Sequence, residues 1–376
     1  MVRIYYEGEE RIMKGEERFV RVAARVVMSD ADVRDARDAA ADGIDWEGVM
    51  RICVMHGVEG IVFYSMRRYG LLEGVPGWFE ERMRERYYEN AVRNMAAEKA
   101  VALLSERIGR KVVFVKGADL FLSMYPSTGM RSMGDVDILV EREFAEEVWK
   151  GLLESGFAAE SGDEIEYRSD VHKDVCSHLP QLKTDAFTVE VHWNLFGVGL
   201  LYPITKIAFE KAVRVRDNVY VLSNEMKLVH LCNHFRRHLY TGASLRHLCD
   251  INELVRLYGK EIDRAEVDRT VKGTELESDL RIGLTYARFY LGTETEERYF
   301  DERLVNEGDS GLERLFVSGK GSKGTVFLYK MRSITGVWNK VRYVYRIAVP
   351  PRRWLAANYG SGGVRGYWRY LRAVIK

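Results

Sequence analysis

Cysteine is scarce and unpatterned in this chain. Cys53, Cys176, Cys232 and Cys249 form no C-x-x-C pair and no zinc-ribbon spacing, which argues against a disulfide framework and for a reduced, intracellular setting. No stretch reaches the roughly 18 apolar residues of a membrane span. The charged opening Met1-Val2-Arg3-Ile4-Tyr5-Tyr6-Glu7 lacks the apolar segment of a signal peptide. A cytoplasmic protein with no membrane partner is therefore expected. Glutamine occurs once, at Gln181, and abundant charge with few amides is a trait shared with heat-adapted proteins. No internal repeat and no low-complexity block is apparent, which argues against a solenoid. Net charge is nearly absent, at +1 overall, so whole-chain charge names no partner. Acids, however, are missing from Lys320 to Lys376, which holds thirteen Lys and Arg; removing that +13 from +1 leaves −12 for residues 1–319.

What is present is an ordinary globular composition. The 376 residues are 47% apolar and 30% charged, enough for two or three packed units and a cleft. Residues from about 30 to 108 read as helices. The last is long, Trp78 to Ile108, with Met83, Tyr87, Ala91, Met95, Ala97, Val101, Leu104 and Ile108 at helical spacing. Gly109 closes it, and Lys111–Val115 is a β-branched run typical of a buried strand. A second strand, Asp135–Val140, follows a polar loop, and a third, Phe187–Trp193, follows a helix spanning about Glu143 to Ser155. From Asn224 onward the pattern is helical again, at about 224–239, 244–258, 264–272, 276–291 and 323–346. The expected class is α+β, a small mixed β-sheet core flanked by N-terminal and C-terminal helical regions. The boundaries drawn are 1–110, 111–222 and 223–376.

Side chains alternate along a strand, so Asp135 and Asp137 share a face while Val136 and Ile138 take the other; two residues rise about 6.6 Å. Paired acids repel unless a cation neutralises them or water reaches them. Mg2+ favours one or two carboxylates with phosphate oxygens and waters, so the Asp-x-Asp strand suits a metal–nucleotide complex. A half-solvated strand that happens to carry acids explains the same pair. In the third strand Thr188, Glu190 and His192 fall on one face, and Glu190 can join the aspartates if the strands are neighbours. Lys116-Gly117 ends a buried strand and opens a short helix, Ala118–Met124. Free backbone N–H groups there could receive phosphate, and Gly117 would let it approach closely. Lys116 is a phosphate partner or a solvated strand end. Arg131 either grips a phosphate or forms a surface ion pair.

These residues carry a resemblance. Val115-Lys116-Gly117-Ala118-Asp119-Leu120, then Tyr125-Pro126, Arg131 and Asp135-Val136-Asp137-Ile138-Leu139-Val140, resemble the uncharacterised nucleotidyltransferases of the DNA polymerase β superfamily. Val189-Glu190-Val191-His192-Trp193-Asn194-Leu195 looks like that family's Glu-Leu-His-Trp strand, and Ser177-His178-Leu179-Pro180 like its preceding strand. Residues 230–250, Pro350-Pro351 and Asn358-Tyr359 resemble its helical tail. One departure stands out. The wider superfamily usually has Gly-Ser shortly before its aspartate pair, whereas here Gly117-Ala118 lies well upstream, with Asp135 eighteen residues after Gly117.

The resemblance implies transfer of a nucleoside monophosphate from an NTP, ATP foremost, to an unknown hydroxyl acceptor. Mg2+, or else Mn2+, would be held by Asp135, Asp137 and Glu190 as the catalytic residues. Lys116, Gly117, Arg131 and Ser132 are the candidate nucleotide contacts, and His178, His192 and His234 the candidate substrate contacts, although a strand histidine such as His178 or His192 also fits as a satisfied, partly buried core residue. Beside it stand two alternatives. His230, His234 and His238 recur on one helix face, with His247 and Asp250 on the next helix; such spacing suits zinc or iron, or simply a packed His face. A metal-dependent phosphohydrolase using His230, His234, His238 and Asp250 is thus a second reading. Residues 320–376 interleave Tyr and Trp with Lys and Arg, which suits nucleic acid or an amphipathic helix packed on the core. A non-catalytic nucleic-acid or partner-binding protein on a transferase scaffold is the third.

Overall fold

The computed structural model describes residues 4–6, 9–11, 14–41, 43–159, 177–196, 202–239, 244–305, 327, 331, 337–350 and 352–375. Cys176, Tyr329, Pro351 and, of the expected helical stretch 323–346, all but two of residues 323–336 lie outside them. The chain divides into two compact units. The first comprises Met1–Lys99, Lys116–Met133 and Leu222–Val326; the second comprises Ala100–Val115, Gly134–Val221 and Phe327–Lys376.

The first unit is built of helices, apart from a short N-terminal hairpin of β1 (Ile4–Tyr6) and β2 (Glu9–Arg11). Its helices are α1 (Lys14–Ala23), α2 (Asp30–Ala41), α3 (Trp46–His56), α4 (Glu59–Arg68) and the part of α5 (Gly77–Ile108) up to Lys99. It also holds α6 (Lys116–Ser123), α9 (Asn224–His238), α10 (Leu245–Tyr258), α11 (Arg264–Val271) and α12 (Glu275–Leu291). Side-chain caps set several starts: Asp45, Ser223, Asp263 and Thr274 each accept a first-turn backbone N–H. α9 and α12 pack tightly because Gly283 has no side chain; a Cβ there would lie 2.6 Å from Cys232 Sγ. Phe235, Leu248, Leu254, Leu280 and Leu284 are buried in this helical core.

The second unit carries a seven-stranded mixed sheet in the order β5-β6-β7-β4-β3-β9-β8. Its strands are β3 (Val112–Val115), β4 (Val136–Leu139), β5 (Ala158–Ala159), β6 (Leu182–Lys183), β7 (Thr188–His192), β8 (Val213–Arg216) and β9 (Val219–Val221). Helices α7 (Ala145–Glu154) and α8 (Tyr202–Glu210) connect them, and α13 (Val337–Ala348), α14 (Arg352–Tyr359) and α15 (Val364–Ile375) belong to the same unit. β3 and β4 are buried along their whole length, as central strands rich in Val, Ile, Leu and Phe should be, and Asp137 is the one acid among them. β3 pairs antiparallel with β4, and β4 pairs parallel with β7. A parallel neighbour needs a crossover; here it runs through α7, which Trp149 Nε1 pins by donating to the carbonyl of Pro180 at 2.7 Å.

Candidate active site

Register places the acids. In the parallel β4–β7 pair Asp137 stands opposite Glu190, and Leu139 opposite His192. Residues paired across strands share a face, and so do residues two apart along one strand, so Asp137, Glu190 and His192 converge. Val136, Ile138, Val189 and Val191 take the opposite face and are buried. His192 Nε2 lies 2.8 Å from Asp137 Oδ1 and 3.2 Å from Glu190 Oε2. Carboxylate oxygens accept, so this nitrogen carries a proton and donates to both. One ligand atom from each of the three residues falls within 4.8 Å of the others. Asp137 is almost completely enclosed, while the Glu190 side chain keeps 18% of its surface. Asp135, which just precedes β4, is half-buried and is not one of this close trio.

Two enclosed carboxylates raise each other's energy unless something positive or proton-donating lies between them. Here an imidazole N–H fills that role. The two carboxylates converging on one small space suit Mg2+ or Mn2+, with His192 donating to them rather than ligating. His178 pairs with His192 through an isolated antiparallel bridge, and their rings are 5.1 Å apart. His178 Nδ1 donates to the carbonyl of Leu179 at 2.9 Å, which leaves Nε2 as the acceptor in the neutral ring.

The remaining residues singled out by sequence lie in the first unit. Lys116 begins α6 with φ 52°, a left-handed conformation that costs a lysine on the order of 1 kcal/mol. Gly117 is approached by protein: a Cβ there would sit 3.0 Å from Arg131 Nη1 and 3.1 Å from Met133 Cγ. Arg131 donates through Nε and Nη2 to both oxygens of Asp250, each at 2.8 Å, and Tyr125 Oη donates to Asp250 Oδ1 at 2.7 Å. Its fork therefore grips a buried carboxylate. Burial and Asp250 push the Tyr125 phenol well up. Ser132 Oγ accepts from Arg246 Nη1 at 3.0 Å. Within α6, Asp119 is buried against Lys227, its Oδ1 2.7 Å from Nζ, and it accepts the backbone N–H of Leu222.

His234 and His238 of α9 meet His247 of α10, and one ring nitrogen from each lies within 4.8 Å of the others. His230 is buried one turn earlier, its ring 6.1 Å from that of His234. Desolvation is the first cause that lowers the pKa of all three clustered imidazoles, that of His238 to about 4. The structure therefore joins His247 to His234 and His238, and gives Asp250 to Arg131. Sequence reasoning passed over Arg246 and the Asp119–Lys227 pair. The i, i+4 histidines signalled the first cluster, but nothing local signals a partner more than a hundred residues away.

A family model described as an uncharacterised nucleotidyltransferase matches residues 42–292. The chain belongs to this family. Membership supports nucleotidyl transfer as the general kind of reaction and a nucleoside triphosphate as substrate, and the family's span covers the sheet with both acids. The α+β class with a mixed sheet and flanking helices agrees with the expectation from sequence. No curated protein and no solved structure shows a significant similarity to the chain. Among the described residues no helix is long and apolar enough to cross a membrane.

Proposed function

We propose that this protein is a metal-dependent nucleotidyltransferase that moves a nucleoside monophosphate from an NTP, ATP foremost, to a hydroxyl acceptor with release of pyrophosphate. The observation that carries this reading is the opposition of Asp137 and Glu190 across a parallel strand pair, with their oxygens converging on one point. Asp137 and Glu190 would hold Mg2+ or Mn2+, with Asp135 reaching in from the start of β4. Bound there, the cation would neutralise charge on the phosphate oxygens and lower the pKa of the acceptor hydroxyl.

The protein's own groups do the rest. Glu190, the more open of the two acids, takes the acceptor's proton as its oxygen bonds to the α-phosphorus and the bond to the β-phosphate oxygen breaks. His192 holds the two carboxylates in register before substrate arrives. His178, joined to His192 by an isolated bridge with its ring tilted 5.1 Å away, is the candidate contact for substrate. Lys116, Gly117, Arg131 and Ser132 are the candidate contacts for the nucleotide, and His234 is a further candidate for substrate. A nucleic-acid acceptor is the reading that residues 320–376 favour.

The test is incubation of the purified protein with each labelled NTP, Mg2+ or Mn2+, and cell extract, followed by identification of what becomes labelled. Label incorporation that disappears in Asp137→Asn and in Glu190→Gln is the expected result. Incorporation that persists in both would sink the assignment. Salt-sensitive RNA or DNA binding without transfer to any acceptor would favour the non-catalytic alternative.

A further inference from the structure

Three histidines of the first unit converge apart from the carboxylate trio, and one of them, His234, is the candidate substrate contact named above. His234 and His238 are one turn apart on α9, and His247 comes from the first turn of α10. His238 Nε2 and His234 Nε2 are 3.1 Å apart. In a tetrahedral site with metal–nitrogen bonds of 2.0–2.1 Å, two ligand nitrogens are about 3.3 Å apart, so the spacing is already close to that of bound ligands. The rings of His234 and His247 have centroids 5.2 Å apart, and those of His238 and His247 4.6 Å. From these distances we infer that His234, His238 and His247 form a transition-metal site of the three-imidazole type, suited to Zn2+, with a fourth position for water or an anionic oxygen.

An N–H···N hydrogen bond would explain the 3.1 Å contact alone. It would not explain a third imidazole, that of the buried His247, brought to the same point from another helix. The second sphere also suits ligation. His247 Nδ1 lies within reach of the Ser244 backbone N–H, at 3.3 Å, and of two oxygens of the same residue, Oγ at 3.0 Å and the carbonyl at 3.3 Å. With its proton on Nδ1, donated to either, the ring keeps a lone pair on Nε2, the usual arrangement behind a metal-bound histidine. The depressed basicity of all three rings, caused first by their enclosure, keeps them in the neutral form that binds metal.

The surrounding charge specifies the fourth ligand. Lys116 acts electrostatically on His234 and His238, and Arg246 on His238 and His247, with Arg131 also acting on His247 and Arg237 on His238. A dication in that field is stable only with an anionic partner, so the open position favours hydroxide or a phosphate oxygen over neutral water. Zinc affinity should consequently rise in the presence of inorganic phosphate.

This inference is independent of the carboxylate site, and the experiment separates them. Full-length protein carrying Asp137→Asn and Glu190→Gln is stripped with a chelator, dialysed against Zn2+ and assayed by elemental analysis, and Co2+ is titrated with visible spectroscopy. The expected result is one Zn2+ per chain and a tetrahedral Co2+ spectrum, both strengthened by phosphate. His238→Ala should weaken binding by at least about 100-fold, the upper end of what loss of a mere outer-sphere partner costs, while His238→Cys restores it with a spectrum shifted by sulfur ligation. If His238→Ala fails to fold, the Co2+ spectrum of the chain with its histidines intact decides the matter. Absence of stoichiometric metal, binding indifferent to His238→Ala in a folded protein, or phosphate bound with metal refused would each overturn the proposal; the last would make the cluster an anion pocket.

Discussion

Replacing Lys227 by methionine tests the energetics of the helical unit most directly. Lys227 Nζ sits 2.7 Å from Asp119 Oδ1 and donates to Ser123 Oγ at 2.6 Å; both charged side chains are at most 3% exposed. Removing one partner of such a pair leaves the other charge buried and uncompensated, which costs about 3–5 kcal/mol. Asp119 already has a raised carboxyl pKa, because burial outweighs Lys227, Ser123 and the Leu222 N–H; without Lys227 it rises further. A carboxyl raised in the folded state contributes stability that is present below its unfolded value and lost as pH rises through its folded value. Lys227→Met should therefore be most damaging at neutral pH and recover part of its deficit as pH falls and the raised Asp119 carboxyl takes up a proton. At about 4 kcal/mol the ratio of folded to unfolded chain falls about a thousandfold. Urea unfolding followed by circular dichroism at neutral and at lower pH measures it, with Asp119→Asn/Lys227→Met as the charge-free control expected to regain most of the loss. A deficit below about 1 kcal/mol, or one that does not shrink as pH falls, would refute the reasoning.

Burial raises the carboxyl pKa of Asp279 to about 6, even though Asn233 donates to it at 2.7 Å. Its contribution to stability, present below the ordinary value of 3.8, is lost as pH climbs through 6. Asp279→Asn should thus stabilise the protein at pH 7.5 by on the order of 2–3 kcal/mol and flatten its melting temperature between pH 4 and 6; a lower melting temperature at pH 7.5 would contradict this. Gly283→Ala drives a methyl to 2.6 Å from Cys232 Sγ and 3.0 Å from its Cα, so thermal melting should reveal a loss of about 1–3 kcal/mol. Glu190→Gln keeps the shape but removes a charged ligand, and Mn2+ binding followed by paramagnetic resonance should weaken at least about 10-fold. Unchanged affinity would place the cation elsewhere.

How much was readable in advance depended on whether the signal was local. Strand alternation put Asp137 with Asp135, and Glu190 with His192, because period-two patterning survives without knowledge of neighbours. The long helix read as Trp78–Ile108 and observed as Gly77–Ile108 was legible for the same reason at period 3.6. The β8–β9 hairpin escaped notice: every residue of β8 is exposed, so no apolar alternation marks it, and only Asp217-Asn218 at its turn, with Asp217 at φ 37°, offered a hint. Two-residue strands such as β5 and β6 are too short to leave a pattern at all. Register across strands is a tertiary property, and it alone brought Asp137 into contact with His192. The Arg131–Asp250 grip joins residues 119 positions apart, and nothing near either one encodes it.

The parallel pairing of β4 with β7 also dictates when the acids can meet. A hairpin would align its strands as soon as a turn formed, whereas Asp137 and Glu190 are brought together only once the intervening chain, with α7, has folded back across the sheet. Contacts that span such distances carry a loop-closure cost that must be met before they contribute anything. During synthesis, then, Asp137 and Glu190 stay apart until the chain beyond β4 has been made and folded back, so a chain arrested midway lacks the convergent pair.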